Sequence, residues 1–266
     1  MTRRGVLAGR TIVVTRPAER AERLVNQLDQ RGARALVAPA IRLTPVRSAA
    51  LTAALRDLAA GDFVWTVLTS PATVRMLDER LETPRDVRAK VAAVGEGTAA
   101  AFAQWSRRQP DLLPKAFTVD ALARAFPRGI GRVLCARADI APDGLEDALA
   151  AKGWTPTRVD AYRTTFPRSL PADARAALRA GEVDAITFTS ASTVRGFIGA
   201  LGATGLRGRP KVVCIGPVTA REARAHGLTV HAVANPHTTD GVVAALERVL
   251  TPRATMTHRQ RKGTAR

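Results

Sequence analysis

At 266 residues with 46% apolar side chains, the chain is long enough for two ordinary cores, and 4% aromatics leaves those cores to Val, Leu, Ile and Ala. Lys and Arg number 41 against 23 Asp and Glu, a net charge of +18 that favours polyanionic partners. Two cysteines and four histidines without ligand spacing exclude a disulfide scaffold and argue against a metal centre, and no apolar run reaches the ~20 residues of a membrane span.

Thr2-Arg3-Arg4-Gly5-Val6-Leu7 has the outline of a twin-arginine leader, but Arg10 cuts the apolar stretch too short for a signal core. The expectation is a soluble cytoplasmic protein. Ile12–Val14 reads as the first strand, followed by Thr15-Arg16-Pro17 and a helical face of Ala21, Leu24, Val25 and Leu28 that closes at Gly32. Val64–Leu68, Val91–Val94, Val133–Cys135, Ala185–Phe188 and Val212–Ile215 read as further strands buried on both faces. Helical stripes run through Leu145, Ala148 and Leu149, then Val194, Phe197, Ile198 and Leu201, then Val242, Val243, Leu246, Val249 and Leu250. Pro17, Pro71 and Pro171 suit first-turn positions, where a missing N–H costs nothing. This alternation predicts α/β units with doubly wound parallel sheets, whose ligands bind beyond the strand carboxyl ends. Cys135 and Cys214 fall inside strands, as buried free thiols. Residues 253–266 carry Arg253, Arg259, Arg261, Lys262 and Arg266 with no acid, and read as a disordered basic tail.

The chain repeats itself at an offset of about 120 positions. Leu68-Thr69-Ser70-Pro71-Ala72-Thr73-Val74-Arg75 returns as Phe188-Thr189-Ser190-Ala191-Ser192-Thr193-Val194-Arg195. Gly9-Arg10 matches Gly131-Arg132, Ile41-Arg42 matches Tyr162-Arg163, Lys90 through Gly95 matches Lys211 through Gly216, Thr98 matches Thr219 and Asp120 matches Asp240. So long a period marks a duplicated domain-sized unit, not a solenoid. Each Thr-Ser junction offers a capping hydroxyl and a helix end suited to an anion.

Gly95-Glu96-Gly97-Thr98-Ala99-Ala100 follows a strand and fits a dinucleotide fingerprint. It is not the first strand-to-helix turn, lacks a placed acidic partner, and its twin Gly216-Pro217-Val218-Thr219 has no second glycine. Gly95 and Gly216 instead suit a tight turn with close ligand approach. Thr98 and Thr219 are either helix-terminal caps or hydroxyls facing a cleft. Ser70 and Ser190 carry the same two readings, and neither sits in a G-x-S-x-G elbow. His226, His231, His237 and His258 read as surface residues. Tyr162, the lone tyrosine, is either packing with a satisfied hydroxyl or a weak acid in the cleft.

Ile12-Val13-Val14-Thr15-Arg16-Pro17, Leu68-Thr69-Ser70-Pro71, Val94-Gly95 with Thr98-Ala99, Asp160-Ala161-Tyr162-Arg163-Thr164, Phe188-Thr189-Ser190 and Ile215-Gly216-Pro217-Val218-Thr219-Ala220 together resemble the uroporphyrinogen-III synthase family over residues 9–250. Val218 departs from it, standing where the family often has a second Thr, and the basic tail lies outside its pattern. The resemblance implies two flavodoxin-like domains joined by a two-strand connector with a cleft between them. One would be discontinuous (1–41 with 165–252) and the other inserted (42–164), so the chain would cross near Ala40–Leu43 and Ala161–Thr165. It further implies dehydrating cyclisation of hydroxymethylbilane to uroporphyrinogen III with inversion of ring D, by a monomer that needs no cofactor or metal and binds neither nucleic acid nor membrane. Tyr162 would assist departure of the hydroxyl. Arg16, Ser70, Thr98, Ser190, Ser192, Gly216 and Thr219, with nearby N–H groups, would hold the substrate's carboxylates. The alternative is a non-catalytic two-lobed module that binds a small polyanion. A nucleic-acid binder fits poorly, because the basic residues lack aromatic interleaving.

Overall fold

The computed structural model describes residues 5–202 and 206–251. Residues 253–266, including the predicted tail and His258, lie outside the described residues.

Short apolar runs form two five-stranded sheets. The first contains β1 (Thr11–Val14), β2 (Arg34–Val37), β8 (Ala185–Phe188), β9 (Lys211–Cys214) and β10 (Val230–Val233), in the order β2-β1-β8-β9-β10 and parallel throughout. The second contains β3 (Arg42–Pro45), β4 (Trp65–Leu68), β5 (Lys90–Ala93), β6 (Gly131–Ala138) and β7 (Trp154–Thr165), in the order β5-β4-β6-β7-β3. All its pairings are parallel except β3 with β7, which is antiparallel. Four strands of each sheet are therefore wound alike, β9-β8-β1-β2 matching β5-β4-β6-β7, and the fifth strands, β10 and β3, sit on opposite edges. The purely parallel expectation misses the β3 edge.

Helices cover both faces of each sheet, as short parallel strands require. On the first sheet, α1 (Glu22–Asp29) and α10 (Thr239–Leu250) pack through Leu24, Leu28, Val242 and Leu246 on one side. Helices α7 (Ala172–Ala180), α8 (Ala191–Leu201) and α9 (Pro217–Ala225) pack through Leu178, Val194, Phe197 and Ala223 on the other. On the second sheet, α2 (Ala49–Ala60), α3 (Pro71–Arg80) and α4 (Glu96–Ser106) oppose α5 (Val119–Ala125) and α6 (Leu145–Ala150). Gly61 and Gly181, matched in the repeat, end α2 and α7 at φ 91° and 74°, where a side chain would be strained. Pro71 opens α3 as predicted; Pro17 and Pro171 sit one position earlier, as N-caps. Cys135 and Cys214 are buried and free, and burial pushes both thiols up to about 12. Among the described residues no helix is long and apolar enough to cross a membrane.

The two sheets meet where the chain crosses between them. Arg42, Leu43, Thr44 and Pro45 pair with Thr165, Thr164, Arg163 and Tyr162, so both crossings run side by side. Helix α8 lies against the first crossing so closely that a Cβ added at Gly196 would fall 1.8 Å from the Ala40 carbonyl oxygen. Because that obstacle is backbone, Gly196→Ala is expected to destabilise the fold by about 1–3 kcal/mol or more. Chemical denaturation should show a lower midpoint, and an unchanged midpoint would refute the close approach.

Candidate active site

In a doubly wound sheet the crevice opens where the strand order reverses. Here the reversals lie between β1 and β8 and between β4 and β6. The first brings Thr15-Arg16 beside Thr189-Ser190. Buried Thr15 donates its hydroxyl to the Thr187 carbonyl at 2.7 Å, and Thr187 returns one to Val13 at 3.2 Å, locking the two strand ends together. Arg16 donates to Thr239 Oγ1 at 3.1 Å. Burial, and then the nearby Arg23 charge, hold its pKa below the usual arginine value.

The second reversal holds Ser70, with Tyr162 beside it at the end of β7. The ladder between β6 and β7 skips Ala161: Arg137 pairs with Asp160, and Ala138 with Tyr162. This bulge re-aims the side chains that follow it. The Asp139 carboxylate accepts the Thr164 N–H at 2.9 Å and the Asp139 N–H donates to the Tyr162 carbonyl at 3.1 Å, fixing the turn after β6. Burial pushes the Tyr162 phenol above its ordinary pKa; the Ser70 hydroxyl and the Arg20 and Arg75 charges pull it back. Arg20 lies on the turn after β1 and Arg75 on α3, so cations attached to both sheets face one phenol. Among the described residues neither arginine has a carboxylate at ion-pair distance. Burial, followed by repulsion from Arg75, lowers Arg20 to about 10. The sequence reading omits both arginines.

The helix ends divide into two kinds. Ser70 caps α3 by accepting the Ala72 N–H, and Ser190 caps α8 by accepting the Thr193 N–H, each at 3.1 Å. Ser190 also shares a 2.9 Å hydrogen bond with Ser192. The repeated serines thus each accept from their own helix, and the Ser70 hydroxyl also serves the Tyr162 phenol. Helices α4 and α9 are different. Their N-caps are Gly95 and Gly216, with no side-chain cap bond, so the N–H groups of Glu96 and Gly97 on α4 and of Val218 and Thr219 on α9, whose first residue Pro217 has none, stay open for an acceptor. Thr98 and Thr219, in the first turns, are buried and do not act as caps. Gly95 and Gly216 are extended at φ −154° and −160°, so neither makes the tight turn read from the sequence.

Each of these glycines faces a ring. A Cβ added at Gly95 would lie 3.4 Å from Phe117 Cβ, and one at Gly216 would lie 3.8 Å from His237 Cγ. Phe117 and His237 themselves meet edge to face, with centroids 5.8 Å apart and planes at 89°. His226 and His231 are exposed as expected; His237 is half-buried at this contact, correcting the surface reading. The signal for both rings was present in the sequence. They directly precede the capping residues Thr118 and Thr238, and stand three positions before the matched Asp120 and Asp240.

A family profile described as uroporphyrinogen-III synthase HemD matches residues 22–244. The chain belongs to the uroporphyrinogen-III synthase family. It is 30% identical over 257 residues to the uroporphyrinogen-III synthase of Synechococcus elongatus, covering 91% of this chain and 96% of that one. It is 31% identical over 256 residues to a putative uroporphyrinogen-III synthase of Methanothermobacter thermautotrophicus, covering 88% and 96%. Among solved structures, a mutant uroporphyrinogen III synthase of Thermus thermophilus superposes with a TM-score of 0.65 at 22% identity, over 91% of this chain and 99% of that one, and so shares the fold. The family comprises cyclising lyases of tetrapyrrole biosynthesis.

Because Tyr162 is the only tyrosine, ultraviolet titration reads it alone. Its phenolate is expected to form above the ordinary phenol range, and later still in Arg20→Met. The unfolded chain deprotonates first, so this group's contribution to stability is complete below the ordinary range and is lost as pH rises towards the shifted value. Titration at or below the ordinary range would contradict the desolvation of the Tyr162 phenol.

Proposed function

We propose that this family member closes hydroxymethylbilane to uroporphyrinogen III in a cleft between two lobes, residues 1–41 with 165–252 and residues 42–164, and that Tyr162 is the proton donor. The observation that carries this reading is the placement of the phenol: half-buried against the core of the second sheet, kept in its protonated form, and faced by arginines from both sheets. Pyrrole nitrogen electrons expel the hydroxyl, so weak acid assistance at the departing oxygen is enough. The phenol gives up its proton as the C–O bond breaks, and water leaves. A carbon–carbon bond then forms to the substituted position of ring D, giving a spiro intermediate. The bond from that same ring D carbon to the methylene on ring C then breaks, the freed methylene bonds to the unsubstituted α-carbon of ring D, which inverts the ring, and the proton lost from that α-carbon on rearomatisation returns to the phenolate.

The larger task is to hold a flexible chain in the one folded arrangement that allows this closure, an entropic contribution supplied by fixed contacts. The substrate carries eight carboxylates by its chemistry. Arg16, Arg20 and Arg75 supply charge, and the open N–H groups of α4 and α9, with Thr98, Gly216 and Thr219 beside them, supply hydrogen bonds. Ser70, Ser190 and Ser192 line the strand ends between these groups. The net charge of +18 steers the polyanion towards the cleft.

The test is to supply hydroxymethylbilane and separate the product isomers. Type III is expected; the type I isomer alone would support a binding module without catalysis. Tyr162→Phe should lower kcat by about 100-fold, the lower end of a general acid's contribution, with little change in KM. Wild-type turnover in that variant would remove the acid role.

A further inference from the structure

We propose that Phe117 and His237 are positioning residues for this reaction: their rings meet between the two lobes and set the separation of the open N-termini of α4 and α9, which hold different carboxylates of one substrate. The inference rests on the functional reading above and specifies how it selects a folded substrate.

Three contacts in series make the bridge. Phe117 covers Gly95, the Phe117 and His237 rings stand 5.8 Å apart at 89°, and His237 covers Gly216. A perpendicular edge-to-face pair is a favoured aromatic geometry. Each ring is also held from its own side. Thr118, next to Phe117, accepts the Ala121 N–H at 3.1 Å, and Thr238, next to His237, accepts the Gly241 N–H at 3.2 Å. His237 Nδ1 lies 2.8 Å from the Ala234 carbonyl. A carbonyl only accepts, so Nδ1 carries the proton and the ring plane is fixed. The His237 ring is fixed by its own lobe, and Phe117 is anchored in the other by the neighbouring cap and by its Cβ against Gly95, so the contact reports the distance between lobes.

The bridge joins equivalent points of the duplicated halves, because Gly95 and Phe117 match Gly216 and His237 in the repeat. Both open helix ends are thus referred to one contact. A linear tetrapyrrole held at both ends can close only if those ends are brought to the right separation. Loosening the contact lets the chain bind in longer arrangements, from which the non-inverted closure competes.

The experiment compares wild type with Phe117→Ala, His237→Ala, the double variant and His237→Phe, measuring KM, kcat and the type III share of the product, with thermal unfolding to check the fold. Phe117→Leu, which keeps apolar bulk over Gly95, guards against a folding defect in Phe117→Ala. Each alanine variant should raise KM roughly two- to tenfold, the range a pair of this geometry carries, and should release measurable type I isomer while its melting midpoint stays near wild type. The double variant should be no worse than the more affected single one, because either change removes the same contact. His237→Phe, which keeps an aromatic ring against Phe117 but loses the bond to the Ala234 carbonyl, should restore KM and isomer share in part, falling between wild type and His237→Ala. Additive losses, or a His237→Phe as impaired as His237→Ala, would overturn the proposal. So would normal wild-type synthesis with unaltered KM and isomer share in both alanine variants. A wild type that yields only type I would instead overturn the functional reading itself.

Discussion

The antiparallel ladder from Arg42–Pro45 to Tyr162–Thr165 carries more of this architecture than its four residue pairs suggest. It completes the second sheet, places both crossings between the sheets side by side, and sets the register of the strand that bears the phenol. Side chains on a strand alternate, so a slip of one residue would turn Tyr162 to the opposite face. The bulge at Ala161 adds a second constraint from the β6 side. Tyr162 is thus located by two neighbouring strands at once, with Ser70 held beside it by the start of α3.

Burial explains what could be read from the sequence. The central strands β1, β4, β8 and β9 are covered on both faces and appear as short, mostly apolar runs interrupted at most by a single buried threonine or an opening polar residue. Strands β2, β3 and β10 lie at sheet edges with partly exposed residues, and their composition, such as Arg42-Leu43-Thr44-Pro45, carries no such run. Twelve-residue β7 alternates irregularly between buried and exposed positions and also escapes a pattern search. The resemblance to a family, not periodicity, drew attention to the crossings at Ala40–Leu43 and Ala161–Thr165.

The repeat marks positions at the strand ends but does not say which hydroxyls cap and which helix ends stay open. Ser70 and Ser190 stand out because the repeat preserves them, but what they do in each half is cap a helix. The helix ends left open start at Gly95 and Gly216, whose lack of a side chain is itself the signal. Arg20 and Arg75 could not be singled out among 41 basic residues, since what distinguishes them is their placement around one phenol with no carboxylate at ion-pair distance among the described residues, a product of the tertiary fold. Phe117 and His237 differ in type, so a search for identity between the halves passes over them although their positions correspond.

The crossed connectivity also orders events during synthesis. Strands β3 through β7 form a contiguous stretch, so their sheet can assemble as soon as Thr165 is available. Strand β1 must wait for β8: the hydrogen bond from Thr15 to the Thr187 carbonyl closes a separation of 172 residues. A nascent chain therefore carries the apolar residues of β1 and α1 with β2 but without β8 and α10 while the interior unit folds, and the amino-terminal segment is the part most exposed to wrong pairing before the ribosome releases the rest.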